Sequence, residues 1–301
     1  MSLDTPITVY NRLTGQIETE QVYGEGWLKW TYGTSFGRLC LAALVRRAWF
    51  SHWYGWRMNQ PKSVQKVLPF IVRYDLDADE FTKPATAFRT FNEFFYRTLK
   101  SSARPIVADE AVAVLPADGR HLAFQNADTA GGFYVKGAKF TLGELLGSDA
   151  LGAEFAGGSL LISRLCPVDY HRFHFPVAGT PDEARLINGW LYSVSPIALR
   201  RNVHYLVQNK RMVTLVETAR FGRVAVLEIG ATCVGSILQS YVPGRHVAKG
   251  EEKGLFAFGG SCVVTVFAKD RICFDADLVS SSAEQREVYA RMGQSLGRAT
   301  T

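Results

Sequence analysis

The chain has 301 residues, is 47% hydrophobic and carries a net charge of +6. It can bury a sizeable core, in one large domain or a domain with an appendage. No run of 18 apolar residues exists, so no spanning helix is expected, and the opening MSLDTPITVYNRLTGQ lacks the basic and apolar regions of a signal peptide. The five cysteines, at 40, 166, 233, 262 and 273, are odd in number and scattered. That pattern argues against a disulfide framework or a paired CxxC zinc site, and for a reducing compartment.

Along the chain, the charge is unevenly placed. Residues 26–74 contain no Asp or Glu but eight basic residues, and five of the six tryptophans (27, 30, 49, 53 and 56) fall there. Basic groups interleaved with Trp and Tyr suit a surface where anionic head groups meet acyl chains. A peripheral membrane face is therefore expected, ahead of an ordinary helical layer. Nucleic-acid stacking comes last, because no recognised nucleic-acid module accompanies the segment.

Within this segment SFGRLCLAALVRRA predicts a helix over 35–48 with Ser35 as its N-cap. A second helix is expected over 61–74, bent or ended near Pro69, and a third over 88–99. After KSSARPI glycine becomes frequent and the apolar runs shorten. Strands are predicted over 158–165 and 185–194, in a hairpin over 211–231 turning at 220–222, and over 255–267, where Gly259 and Gly260 interrupt the apolar run just before Ser261. The fold class expected is α+β: a β-rich, largely antiparallel core over 81–301, with an N-terminal helical, aromatic and basic region over 1–80.

Four short stretches could carry chemistry. In LPADGRH, Asp118 taken alone reads first as a turn residue. In CPVDYHRFHFPVAG, His171 and His174 lie three apart among aromatics. They fit a metal pair or satisfied imidazoles in an aromatic wall, but there is no HExxH and no third ligand at suggestive spacing. VLEIGATCVGSI reads as a strand ending in small residues, where backbone can approach closely. LFAFGGSCVVTVF is not a serine-hydrolase elbow, since GxSxG fails at Val263 and a strand-like run follows the serine.

Taken in order, these blocks resemble the phosphatidylserine decarboxylases, a family that makes its own pyruvoyl cofactor. PADG, DYHRFHFPVAG, NKRMVTLVETARFGRVAVLEIGATCVGSI and KGEEKGLFAFGGS match its successive blocks, and FNEFFYRTLKSSARPI and VKGAKFTLGELLG fit its pattern as well. The likeness is strong over residues 88–270 and looser before them.

The resemblance implies that Ser261 attacks the carbonyl of Gly260, cutting the chain into 1–260 and 261–301. Glycines before the serine leave room for that attack. It also implies that His174 takes the serine proton, that Asp118 orients His174, and that Ser261 becomes the covalent pyruvoyl group. That group would form a Schiff base with the substrate amine, with His171 assisting decarboxylation or reprotonation, and no metal is called for. One residue departs from the family pattern: Cys262 follows the serine where Thr or Ser is usual.

The substrate implied is phosphatidylserine in an anionic membrane surface, converted to phosphatidylethanolamine and CO2. The resemblance further implies two cut chains that stay associated, allows a homodimer, and involves no nucleic acid. The location expected is peripheral, on the cytoplasmic face of the cell membrane. Two alternatives stand beside this reading: a pyruvoyl-dependent decarboxylase of a soluble amino acid, and an uncleaved lipid-binding protein.

Overall fold

The computed structural model describes residues 5–129, 140–232, 236–257, 259 and 261–300. Its strands, in chain order, begin with β1 Thr8–Asn11, β2 Gln16–Thr19, β3 Val112–Val114, β4 Gly119–Phe124, β5 Ser159–Leu165 and β6 Arg172–His174. There follow β7 Thr180–Pro181, β8 Arg185–Ile187, β9 Arg211–Thr218, β10 Gly222–Ile229 and β11 Ile237–Gln239. The last are β12 Glu252–Phe256, β13 Ser261–Phe267, β14 Ile272–Phe274, β15 Glu287–Ala290 and β16 Ser295–Ala299.

Ten of them form one sheet in the order β2-β1-β15-β4-β5-β13-β10-β9-β7, with β8 also on β9. Its pairings are antiparallel except β1 with β15. Two three-stranded sheets, β11-β12-β6 and β14-β16-β3, complete the β structure. The α+β, largely antiparallel architecture expected from the sequence is what the chain adopts.

Strand β13 explains why the sheet holds together. All seven of its residues are buried, because both faces of the sheet are covered. Val263 and Phe267 enter one apolar cluster with Phe173, Phe175 and Phe256. Cys262, Val264 and Val266 enter another on the opposite face, with Leu145, Leu160 and Leu206. A strand covered on both sides reads as a continuous apolar run rather than an alternation.

The predicted elements shift in several places. The helix expected over 35–48 is α-helical only from Ser35 to Cys40, passes into a π-helical turn at Leu41–Val45, and is followed by a separate helix, Ala48–Met58. Its N-cap is Thr34, whose hydroxyl accepts from the Gly37 amide at 2.9 Å, not Ser35. Pro69 neither bends nor ends a helix: a 3-10 turn, Pro61–Lys66, leads into a helix Val67–Arg73, in whose first turn proline lacks no needed donor. The helix expected over 88–99 is cut to Phe91–Phe95, and the strand over 185–194 to β8.

A further difference matters most for function. Residues 255–267 are not one interrupted strand. Strand β12 lies in the small sheet beside β6, whereas β13 lies in the centre of the large sheet. The chain crosses between them through Gly259, whose φ of 133° is closed to a residue with a side chain. The N-terminal region also differs from a purely helical one, since β1 and β2 are built into the large sheet.

Candidate active site

Ser261 opens β13 opposite Leu165 and has no solvent exposure. Its Oγ lies 3.4 Å from Nδ1 of His171. The other nitrogen of that ring, Nε2, lies 2.8 Å from the carbonyl oxygen of Cys166. A carbonyl can only accept, so Nε2 carries the proton and donates it, leaving the lone pair of Nδ1 facing the hydroxyl. The ring is held by Phe95, stacked on it at 3.9 Å between centroids. Burial pushes the His171 imidazole down to about 3, with the charge of Arg97 adding to the effect, so it is neutral at physiological pH.

The Cys166 carbonyl is fixed in turn. The Cys166 amide donates to Oδ2 of Asp169 at 2.6 Å, and that carboxylate also pairs with Arg120. Arg164, on β5, donates to Glu20 and Glu287, each at 2.6 Å through Nη2, and touches the Cys166 thiol at 2.9 Å. Three distant stretches of chain thus meet beneath the serine.

His174 and Asp118 are buried nearby but bonded otherwise than the expected triad. The His174 amide donates to the Pro116 carbonyl at 2.7 Å, and its ring stacks on Tyr170 at 5.8 Å. Its Nδ1 is buried without a hydrogen-bond partner. Burial pushes this imidazole down to about 4, opposed by the negative charges of Glu252 and Asp118. Asp118 receives Arg104 through Nε at 2.9 Å and Nη2 at 2.6 Å, and the Met292 amide at 2.9 Å. Among the described residues no hydrogen bond joins the His174 ring to Ser261 or Asp118; the imidazole in reach of the serine is that of His171. Gly260 lies outside the described residues.

Cys262 points away from this chemistry. Consecutive residues of a strand face opposite sides, so its thiol lies in the far cluster, where burial pushes it up to about 12. It is a packed thiol, not a rival nucleophile.

A cleft of about 370 Å3 lies close by, lined in part by residues next to this site in the fold, although Ser261 itself does not line it. Leu165, which pairs with Ser261, lines it together with Cys166 and Gly259, and Trp27, Phe50 and Trp53 line it from the N-terminal helices. Among the described residues no group of three or more His, Cys, Asp or Glu is placed to hold a metal ion. Sequence reasoning missed Phe95, the Cys166 carbonyl, Asp169 and Arg104. Asp169 was visible beside the histidines, but a backbone carbonyl and a stacked ring leave no mark in a one-dimensional pattern.

The sequence model of the family described as phosphatidylserine decarboxylase matches residues 91–298. This chain belongs to that family. Curated relatives named phosphatidylserine decarboxylase proenzyme include one from Fusobacterium nucleatum, 43% identical over 291 residues, covering 97% of each chain. One from Chlamydia muridarum is 45% identical over 288 residues and 96% of each chain. Another, from Clostridium novyi, is 41% identical over 97% of this chain and 99% of its own. The likeness to the phosphatidylserine decarboxylases therefore includes the N-terminal segment that lines the cleft, as well as the histidine block and β13.

Proposed function

We propose that this protein is a phosphatidylserine decarboxylase that matures by cutting itself between Gly260 and Ser261. The observation that carries this reading is the buried Ser261, whose Oγ meets the unprotonated nitrogen of His171, beside an apolar cleft lined by Leu165, Cys166 and Gly259. In maturation, Oγ attacks the carbonyl carbon of residue 260 and the peptide nitrogen leaves as an amine, giving an ester. Loss of the Ser261 Cα proton expels the carboxylate of residue 260 and leaves dehydroalanine. Tautomerisation and addition of water then release ammonia, and a pyruvoyl group caps the shorter chain.

The residues present fit such a group, because position 261 is dry and faces a neutral imidazole, and its strand partner Leu165 lines the cleft. The pyruvoyl group supplies a carbonyl that condenses with the substrate amine and accepts electrons as CO2 departs. The protein's own part is proton handling and exclusion of water. His174, with an unpartnered nitrogen in the field of Asp118, is assigned to the cutting step. His171, in contact with position 261 itself, is assigned to proton transfer during decarboxylation.

Two single substitutions test the division. His174→Ala is expected to leave an unbroken chain by intact mass, whereas His171→Ala is expected to be cut yet turn over about 100-fold more slowly or worse. The reverse pattern would exchange the roles. An active wild-type protein of unbroken mass would sink the self-processing reading altogether.

The substrate reading rests on the N-terminal helices. Trp49 and Trp56 are 56% and 58% exposed and Val72 is 81% exposed, on the same layer whose Trp27 and Trp53 line the cleft. Basic residues are interleaved, with Arg57 over the Trp53 ring at 5.3 Å. No helix among the described residues is long and apolar enough to cross a membrane. A peripheral layer that dips aromatic side chains into an anionic leaflet would bring the lipid head group to position 261.

A further inference from the structure

Asp118 is buried, and the backbone leading to it is fixed from two sides. The Val114 amide donates to the Pro176 carbonyl at 2.9 Å and the His174 amide to the Pro116 carbonyl at 2.7 Å, so this stretch runs beside the histidine block. On the other side the Leu115 amide donates to the Gln294 carbonyl at 2.9 Å, and the Gly293 amide to the Leu115 carbonyl at 3.1 Å. None of these bonds orients the Asp118 carboxylate. Arg104 does: its Nε lies 2.9 Å from both Oδ1 and Oδ2, and its Nη2 donates to Oδ2 at 2.6 Å. The Met292 amide adds a donor to Oδ1 at 2.9 Å. Arg104 has little freedom of its own, since its side chain is 8% exposed and Nη1 donates to Glu80 at 3.0 Å and to the Ala103 carbonyl at 2.7 Å. Glu80 also accepts from Arg291 at 2.8 Å, so two carboxylates and two guanidiniums close a formally neutral cluster.

We propose that Arg104 is a positioning residue for self-cleavage: by fixing the Asp118 carboxylate it fixes the negative charge that acts on His174. This rests on the reading of a cut between residues 260 and 261 with His174 in the cutting step. A guanidinium that meets a carboxylate through two nitrogens sets its plane as well as its place. The chain around Asp118 needs no such fork to stay where it is, because the backbone bonds on either side already hold it. What the fork supplies is the orientation of the charged group. That orientation bears on His174, whose ring feels the Asp118 charge and whose Nδ1 has no hydrogen-bond partner. When the His174 ring takes up the serine proton it becomes a buried cation, and a carboxylate already held in place stabilises that charge without having to move.

The test follows the cutting of full-length chain made by cell-free translation, as the fraction cut over time on a denaturing gel, beside the melting midpoint of each purified protein. Arg104→Gln loses the charge and the fork and should slow cutting about 100-fold. Arg104→Lys returns a cation to Asp118 as a point charge, and should cut only about three- to tenfold more slowly than wild type. Glu80→Gln opens the same cluster on the side away from Asp118, so it should lower the midpoint by several degrees yet cut at the wild-type rate. Equal slowing by Glu80→Gln and Arg104→Gln would mark the cluster as structural and overturn the assignment. So would a glutamine variant that cuts at the wild-type rate, or a lysine variant no faster than the glutamine one. Should Arg104→Gln fail to fold, Arg104→Lys decides: slowed cutting supports the assignment and the wild-type rate refutes it. An uncut wild-type chain would remove the cleavage reading and this inference together, whereas a cut chain whose rate is indifferent to Arg104 removes this inference alone.

Discussion

At the scale of single residues, the reactive centre depends on neutral, desolvated groups. His121, His171 and His174 are all buried, and burial holds them at about 3, 3 and 4, against an ordinary value near 6.5. In the unfolded chain each takes up a proton below about pH 6.5, so the unfolded state binds more protons there. Stability is therefore fully present above pH 6.5 and is lost as pH falls toward 4 and then 3. Each group contributes a slope of up to about 1.4 kcal/mol per pH unit. His121 lies outside the proposed chemistry, bonded to Ser163 Oγ at 2.9 Å, so His121→Asn should flatten the acid side of a melting-temperature profile without stopping self-cleavage. An unchanged slope would deny the buried neutral state. At the serine, Ser261→Ala should abolish cutting, while Cys262→Ala should cut normally and lose only packing, about 1 kcal/mol.

At the scale of elements, the crossing from β12 to β13 is braced by an ion pair inside the apolar layer. Lys253 on β12 and Glu228 on β10 have no side-chain exposure and meet at 2.8 Å, with Gln239 bonded to both. The ammonium also lies 5.1 Å from the Tyr241 ring centroid. Close packing sets the same boundary: a Cβ at Gly254 would stand 2.1 Å from the Leu238 carbonyl oxygen. Removing one charge strands the other, so Glu228→Gln should cost about 3–5 kcal/mol in denaturant unfolding. The double change Glu228→Leu with Lys253→Met should recover most of it. If the double variant is as unstable as the single one, the pair does more than neutralise itself.

At the scale of the whole molecule, the segment after residue 260 is woven into the rest. Strand β13 lies between β5 and β10, β15 lies between β1 and β4, and β16 pairs with β3. Arg164 adds a buried bridge from β5 to Glu287 and Glu20. Cut chains are therefore expected to co-elute on gel filtration at neutral pH and to part only in denaturant. Separation under native conditions would contradict that expectation. The N-terminal layer carries the second expectation at this scale. Trp49→Ala with Trp56→Ala should weaken binding to anionic vesicles severalfold, and added salt should weaken wild-type binding too. Binding indifferent to both would place the membrane face elsewhere.

Much was legible in the residues themselves. The α+β class, the β9–β10 hairpin, the buried run of β13 and the family blocks around Asp118, His171, His174 and Ser261 all follow from local pattern and order, because periodicity and turn chemistry act between near neighbours. The limits of the helix expected over 88–99 were less legible, since tertiary packing of Phe91, Phe94 and Phe95 overrides the propensity of the flanking residues. The placement of β12 and β13 in different sheets, the proton position on His171 and the unpartnered Nδ1 of His174 were decided only by the fold. Each depends on contacts between residues tens of positions apart, and a linear sequence orders such residues without saying which of them meet.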